Sequence, residues 1–147
     1  MNPGFERGKK AYLQHERALS EAIARLAGLR EELKTAIDGD AEAYNRVMKA
    51  YKAAKDAAGA DGIIDIALKQ ATSVPLGVAE RAREVAGIAE ELKPITNPNM
   101  KSDLTTALAL ARAAIDGALA NVEINLESLK DAEFVAEIRK RSALVKN

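Results

Sequence analysis

The sequence predicts an all-α fold, an antiparallel up-and-down bundle of long helices, and three observations carry that prediction. Hydrophobic residues make up 48% of the chain but aromatics only 3%, so a core has to be assembled from alanine and aliphatic side chains. Those side chains recur at spacings of three and four, the signature of one helix face, and valine and isoleucine seldom alternate with polar residues as a half-buried strand demands. Short junctions rich in Gly, Asp, Asn and Pro separate the periodic segments.

Taken in order, Tyr12, Leu19, Ile23, Leu26, Leu33 and Ile37 predict a first helix from about Lys9 to Ile37 with one buried stripe. The triplet "DGD", Asp38 to Asp40, is expected to end that helix and start another, with Asp40 as the cap of a negatively charged first turn. This second helix would run to about Ala58 and bury Tyr44, Val47, Met48 and Tyr51. "GADG" at 59 to 62 breaks the pattern again, and the next periodic run continues on both sides of Pro75. Proline removes one backbone donor and crowds the turn before it, which predicts a kink near Thr72 to Val74.

Pro94 and "ITNPN" end the kinked helix, and Asn99 or Ser102 can cap the next. From Asp103 to about Leu129, the residues Leu104, Leu108, Ile115, Leu119, Val122, Leu126 and Leu129 form a core stripe near heptad spacing, and "DAEFVAEIRKRSALVK" makes a last helix. A chain of 147 residues with short connections reads as a single domain whose helices pack as antiparallel neighbours.

Composition excludes several classes of function. With no cysteine, disulfides and thiolate chemistry are ruled out, and with one histidine besides, neither a zinc enzyme nor another metal site is expected. Basic and acidic residues balance at 22 each, so no nucleic-acid partner is implied. Arg112 and Asp116 interrupt the most apolar stretch and no membrane span is expected, while the first residues lack the apolar run of a secretory signal. The chain therefore reads as cytoplasmic.

Two constellations stand out. A second line on the long helix, Asp103, Ala107, Ala111, Ala114, Ala118, Asn121, Asn125 and Ser128, is either a close-packing seam or a groove whose polar residues face a ligand. Along that helix Asp103 and Asn121 lie roughly 27 Å apart at 1.5 Å per residue, so they meet one small group only if a second chain brings them together. Asp40 and Asp103 are carboxylates at expected helix starts, where capping alone accounts for them. Lys9 and Lys10, with Arg46, Lys52, Lys55 and Lys101, suit either a polyanionic ligand or an ordinary solvated face. "DAAGADG" lacks the alternating oxygen ligands and terminal glutamate of a calcium loop, and no phosphate loop, dinucleotide fingerprint or nucleophile elbow is present.

Five stretches go further: "GKKAY" (8 to 12), "DAEAYNRVMKAYK" (40 to 52), "ALKQATSVPLGVAE" (67 to 80), "NPNMKSD" (97 to 103) and "NVEINLESLKD" (121 to 131). Together and in this order they resemble the cyclodeaminase/cyclohydrolase family, which comprises the C-terminal domain of formiminotransferase-cyclodeaminase and its stand-alone bacterial relatives. Each stretch is weak singly, but five in register cover the chain from Gly8 almost to its end.

The resemblance implies an all-helical homodimer or higher homo-oligomer acting on a tetrahydrofolate one-carbon derivative, with no cofactor beyond that substrate. One family activity hydrolyses methenyltetrahydrofolate to formyltetrahydrofolate; the other cyclises formiminotetrahydrofolate with loss of ammonia. Both involve a cationic amidine-like carbon that a carboxylate stabilises, and both need proton transfer.

By the same resemblance Asp40 and Asp103 are the catalytic carboxylates. Asn97, Asn99 and Ser102 would hold the ligand at a corner, Asn121 and Asn125 would line the cleft, and Tyr12 and Tyr44 would bind substrate. Lys9 and Lys10 would meet the carboxylates of the folate tail. Ahead of "GKK" the family carries a glycine-rich segment and an alanine-rich first helix, where this chain has "MNPGFER". An apolar stripe is therefore expected to stand uncovered, and self-association is its simplest cover. The alternative is a non-catalytic helical homo-oligomer that keeps the scaffold without the folate site.

Overall fold

A computed structural model describes residues 10–55 and 61–146, with side chains from 13 and from 62 onward. After a short 3-10 segment, Lys10–His15, four α-helices follow: α1 (Glu16–Ala54), α2 (Asp61–Leu92), α3 (Lys101–Glu127) and α4 (Ala132–Lys146). Among the described residues there is no strand, and neighbouring helices run antiparallel, so the bundle is of the expected up-and-down kind.

The first two expected helices are one. α1 passes through Asp38, Gly39 and Asp40 without a break over its 39 residues. The physical reason lies in a seam that keeps its three-four alternation across the triplet: Leu19, Ala22, Leu26, Leu29, Leu33, Ala36, Asp40, Ala43, Val47, Ala50. One glycine in a helix interior costs about 1 kcal/mol, too little to divide a helix whose two halves bury the same face. Asp40 is therefore not a cap but a mid-helix residue on the seam.

The second correction concerns which side chains the seam buries. Ala43 and Ala50 are buried, whereas Tyr44, Met48 and Tyr51 are exposed, as is Ile37. Small residues let α1 lie close on α2, where Ala67, Leu68 and Ala71 are buried in turn, and the larger side chains are left on the outer face. Leu29, which the expected first stripe omitted, is fully buried.

Pro75 lies inside α2, and the helix continues through it. Its missing N–H leaves the Ala71 carbonyl without an intrahelical donor, and hydroxyls occupy carbonyls nearby: Thr72 Oγ1 donates to the Leu68 oxygen and Ser73 Oγ to the Gln70 oxygen, both at 2.7 Å.

α3 buries the expected stripe, Leu104, Leu108, Ile115, Leu119, Val122 and Leu126, against α2. One core cluster joins Leu76, Ala79 and Ala82 of α2 to Val122 and Leu126 of α3 and to Ile138 and Val145 of α4. A second joins Leu19 of α1 to Ala89 and Leu92 of α2 and to Leu104 and Leu108 of α3. α2 is thus the common spine: α1 packs on it, α3 packs on it along its length, α4 closes on both α2 and α3, and α1 scarcely touches α3.

Ion pairs fasten the outer helices to this spine. Arg25 of α1 pairs with Glu84 of α2 and with Glu32 at 3.1 Å, and Arg81 of α2 reaches Glu32 at 2.7 Å. The hydrogen bond from Arg81, then that from Arg25, holds the Glu32 carboxyl below its ordinary range, and Arg25 does the same to Glu84. At the other end Asp131 caps α4 by accepting from the Phe134 N–H at 3.0 Å and accepts from Lys69 Nζ at 2.5 Å. The Lys69 bond is the main cause of its lowered pKa.

Candidate functional site

Because α1 and α3 both lie on α2 but not on each other, a cleft remains between them with α2 as its floor. It encloses about 400 Å³ and is lined by Leu33, Ala36, Ile37 and Asp40 of α1, by Val74, Pro75 and Val78 of α2, and by Ala114, Ala118 and Asn121 of α3. The second line on α3 is thus both a seam and a groove. Ala111 is buried in packing, Ala118 is buried yet borders the cleft, and Ala114 and Asn121, two turns apart, are open to it.

Asp40 and Asn121 are the two strongly polar side chains of this lining, and neither has a hydrogen-bond or ion-pair partner among the described residues. A free carboxylate and a free amide set among aliphatic walls are matched to a flat, largely apolar ligand carrying a cationic or N–H-rich edge. Leu33 and Ile37 also border an adjoining hollow with Leu26 and Val85, so the apolar surface continues along α1. A larger cavity of about 650 Å³ lies on another side of α1 and α2, but three of its carboxylates are already engaged: Glu21 by Arg17, Glu80 by Arg141 and Glu84 by Arg25.

The other expected site residues fall into separate places. Tyr44 is exposed on α1 one turn beyond Asp40, and Asn125 is half-buried one turn beyond Asn121. Asn97, Asn99, Ser102 and Asp103 gather at the α2–α3 corner, which lies roughly 27 Å from Asn121 along the continuous α3. There Asn97 Oδ1 accepts the Asn99 N–H at 3.0 Å and so starts the short turn Pro98–Met100, while Met100 precedes α3 without a side-chain cap. Ser102 and Asp103 are exposed in the first turn of α3. Lys9 lies outside the described residues, as do the side chains of Lys10 and Tyr12.

Among the described residues no group of three or more His, Cys, Asp or Glu side chains is placed to hold a metal ion, and no helix is long and apolar enough to cross a membrane. Val74, Pro75 and Val78 line the cleft but were not among the expected site residues, although they lie in one of the five stretches that carry the resemblance. The signal for them is the proline inside a periodic run, which presents an apolar ring on the helix surface as well as a missing backbone donor.

Comparison with known proteins adds a family. A family model described as formiminotransferase-cyclodeaminase matches residues 1–143. A methenyltetrahydrofolate cyclohydrolase of Methylorubrum extorquens is 37% identical over 134 residues, covering 88% of this chain and 64% of that protein. A formimidoyltransferase-cyclodeaminase of Sus scrofa is 28% identical over 138 residues, covering 91% of this chain and 26% of that protein. The crystal structure of a formiminotetrahydrofolate cyclodeaminase from Thermotoga maritima superposes with a TM-score of 0.92 at 30% identity, over 99% of this chain and 71% of that one. The chain thus spans less than two thirds of the bacterial cyclohydrolase and about a quarter of the pig protein.

Proposed function

Because the chain belongs to the formiminotransferase-cyclodeaminase family, we propose that it is a folate-dependent one-carbon enzyme whose substrate lies in the cleft between α1 and α3. The single observation that carries the proposal is the pairing of Asp40 with Asn121 in one apolar cavity, the two otherwise unpartnered polar groups of its lining. Of the two family reactions, hydrolysis of methenyltetrahydrofolate is preferred, in keeping with the 37% identity to a protein named for that activity.

In that reaction water adds to the cationic bridging carbon, one carbon–nitrogen bond breaks, and the nitrogen released takes up a proton. The net products are the formyl derivative and one proton. Asp40 would lie near the delocalised positive charge and accept the proton lost by the attacking water, and Asn121 would orient the water or the ring edge through its amide. Asp40 and Asn121 are both exposed in the free chain, so a bound substrate lying on the aliphatic walls would itself displace water from the carboxylate and strengthen its attraction for a cation.

The same proposal includes self-association. Ile37, Tyr44, Met48 and Tyr51 form an exposed stripe on α1, 71%, 63%, 50% and 40% accessible respectively, that begins at the cleft and runs away from it. A homodimer that covers this stripe removes a large apolar surface from water.

The test is spectroscopic. Purified protein added to methenyltetrahydrofolate should accelerate the loss of its absorbance above the spontaneous rate. No acceleration, together with no folate binding, would leave the non-catalytic homo-oligomer as the function of this scaffold.

A further inference from the structure

Every described arginine but two has a carboxylate within ion-pair distance. The two without one, Arg83 of α2 and Arg112 of α3, line the same cavity of about 430 Å³, with Lys146 at the end of α4 as a third cation. Its floor is apolar and fixed, since Ala86, Ile115 and Val145 are all buried.

Most of the carboxylates around these cations are committed to other partners. Glu80 and Glu84, neighbours of Arg83 on α2, are held by Arg141 and Arg25, and Glu90 on the cavity rim is held by Lys93 at 2.6 Å. Asp116 also borders the cavity, four residues after Arg112, yet it makes no ion pair with it. An ion-paired surface that leaves two guanidinium groups unpaired on the lining of one cavity departs from the pattern of the other described arginines.

This cavity is separate from the cleft. Arg112 and Asp116 lie on one flank of the buried stripe of α3, with Val145 and Lys146 of α4, whereas Ala114 and Asn121 lie on the other, with Leu33 and Asp40 of α1.

We propose that Arg83, Arg112 and Lys146 form a binding site for a small organic dianion, a dicarboxylate or a phosphate monoester, with its charged groups on the two guanidinium forks and its carbon body on Ala86, Ile115 and Val145. Guanidinium matches carboxylate and phosphate oxygens in pairs, and the cavity volume lies within the range of small-ligand sites, roughly 300–1,000 Å³. The proposal does not depend on the reaction in the cleft.

Titration calorimetry at low ionic strength, with inorganic phosphate and with succinate as separate probes, tests it. At least one probe should bind saturably to one site per chain, and the R83Q/R112Q double variant should weaken that binding at least tenfold. R46Q, which removes an arginine already paired with Glu42, should leave it unchanged. No saturable binding of either probe would overturn the proposal, as would equal binding by the double variant or an equal loss in R46Q. Preference for succinate over phosphate, or the reverse, identifies which dianion the forks select.

Discussion

Arg81 Nε donates to Glu32 Oε2 at 2.7 Å while its Nη1 donates to the Gly77 carbonyl at 2.9 Å, so a single side chain on α2 grips both its own helix and α1. Glu32 directly precedes Leu33, and Gly77 directly precedes Val78, two residues that line the cleft. The clasp therefore sets the spacing of α1 from α2 at the mouth of the candidate site.

This clasp predicts an acid-sensitive attachment of α1. The folded-state pKa values of Glu32 and Glu84 are lowered by their arginines, so their contribution is present above the unfolded value, about 4.3 for glutamate, and is lost as pH falls through the lowered values. Unfolding midpoints in urea should fall as pH drops below about 4.5, and an E32Q/E84Q double variant should show a shallower fall over the same window. An unaltered slope in the variant would mean that α1 is held by packing alone.

The continuity of α1 is tested at Gly39. A β-carbon there meets nothing within 4 Å, so Gly39→Ala should stabilise the protein by roughly 0.5–1 kcal/mol, the helix-propensity difference. If the chain turned at this triplet, the substitution would be neutral or destabilising. Equilibrium denaturation with matched m-values decides between them.

Ser142 on α4 has a buried hydroxyl with no hydrogen-bond partner. An unsatisfied buried hydroxyl costs on the order of 1–3 kcal/mol, so Ser142→Ala should raise the unfolding free energy, by about 1 kcal/mol at the lower end of that range. A decrease would show that the hydroxyl is satisfied in solution.

The two carboxylates assigned to catalysis by resemblance are now distinguishable. Asp40→Asn should lower kcat/KM roughly 10²–10³-fold, the scale of removing one electrostatic contact to a transition state, and Asn121→Ala should mainly raise KM. Asp103→Asn, at the opposite end of α3, should leave kcat within a small factor. Steady-state rates with methenyltetrahydrofolate check all three, and a large loss in Asp103→Asn would move the site to the α2–α3 corner.

Much of the fold was legible in the residues. The α3 stripe from Leu104 to Leu126 combines large aliphatic side chains with near-heptad spacing, and each of them is buried. α1 was harder because its seam beyond Leu33 is built mostly from alanines and valine, while the eye follows Tyr44, Met48 and Tyr51, which are exposed. A search for the largest side chains finds the wrong face of a helix that packs through its smallest ones.

The cleft was legible only in its parts. Asp40 and Asn121 were both candidates, but their meeting depends on α1 and α3 lying on the same side of Pro75, which is a property of packing and not of spacing. Asp103 looked equivalent to Asp40 because both sat at expected helix starts, and that equivalence ended when α1 proved unbroken.

The place of α2 as the common spine has a mechanical consequence. Depth in the cleft is governed by the α2–α3 core, where shifting Leu76 or Val122 would open a void in close-packed surroundings. Width is set by the seat of α1 on α2, an alanine-rich seam anchored by the buried Leu19 and Leu29 and clasped by ion pairs. Separate contacts thus set the two dimensions of the cleft, so a substitution in the α1 seam should alter its width while the α2–α3 floor stays in place.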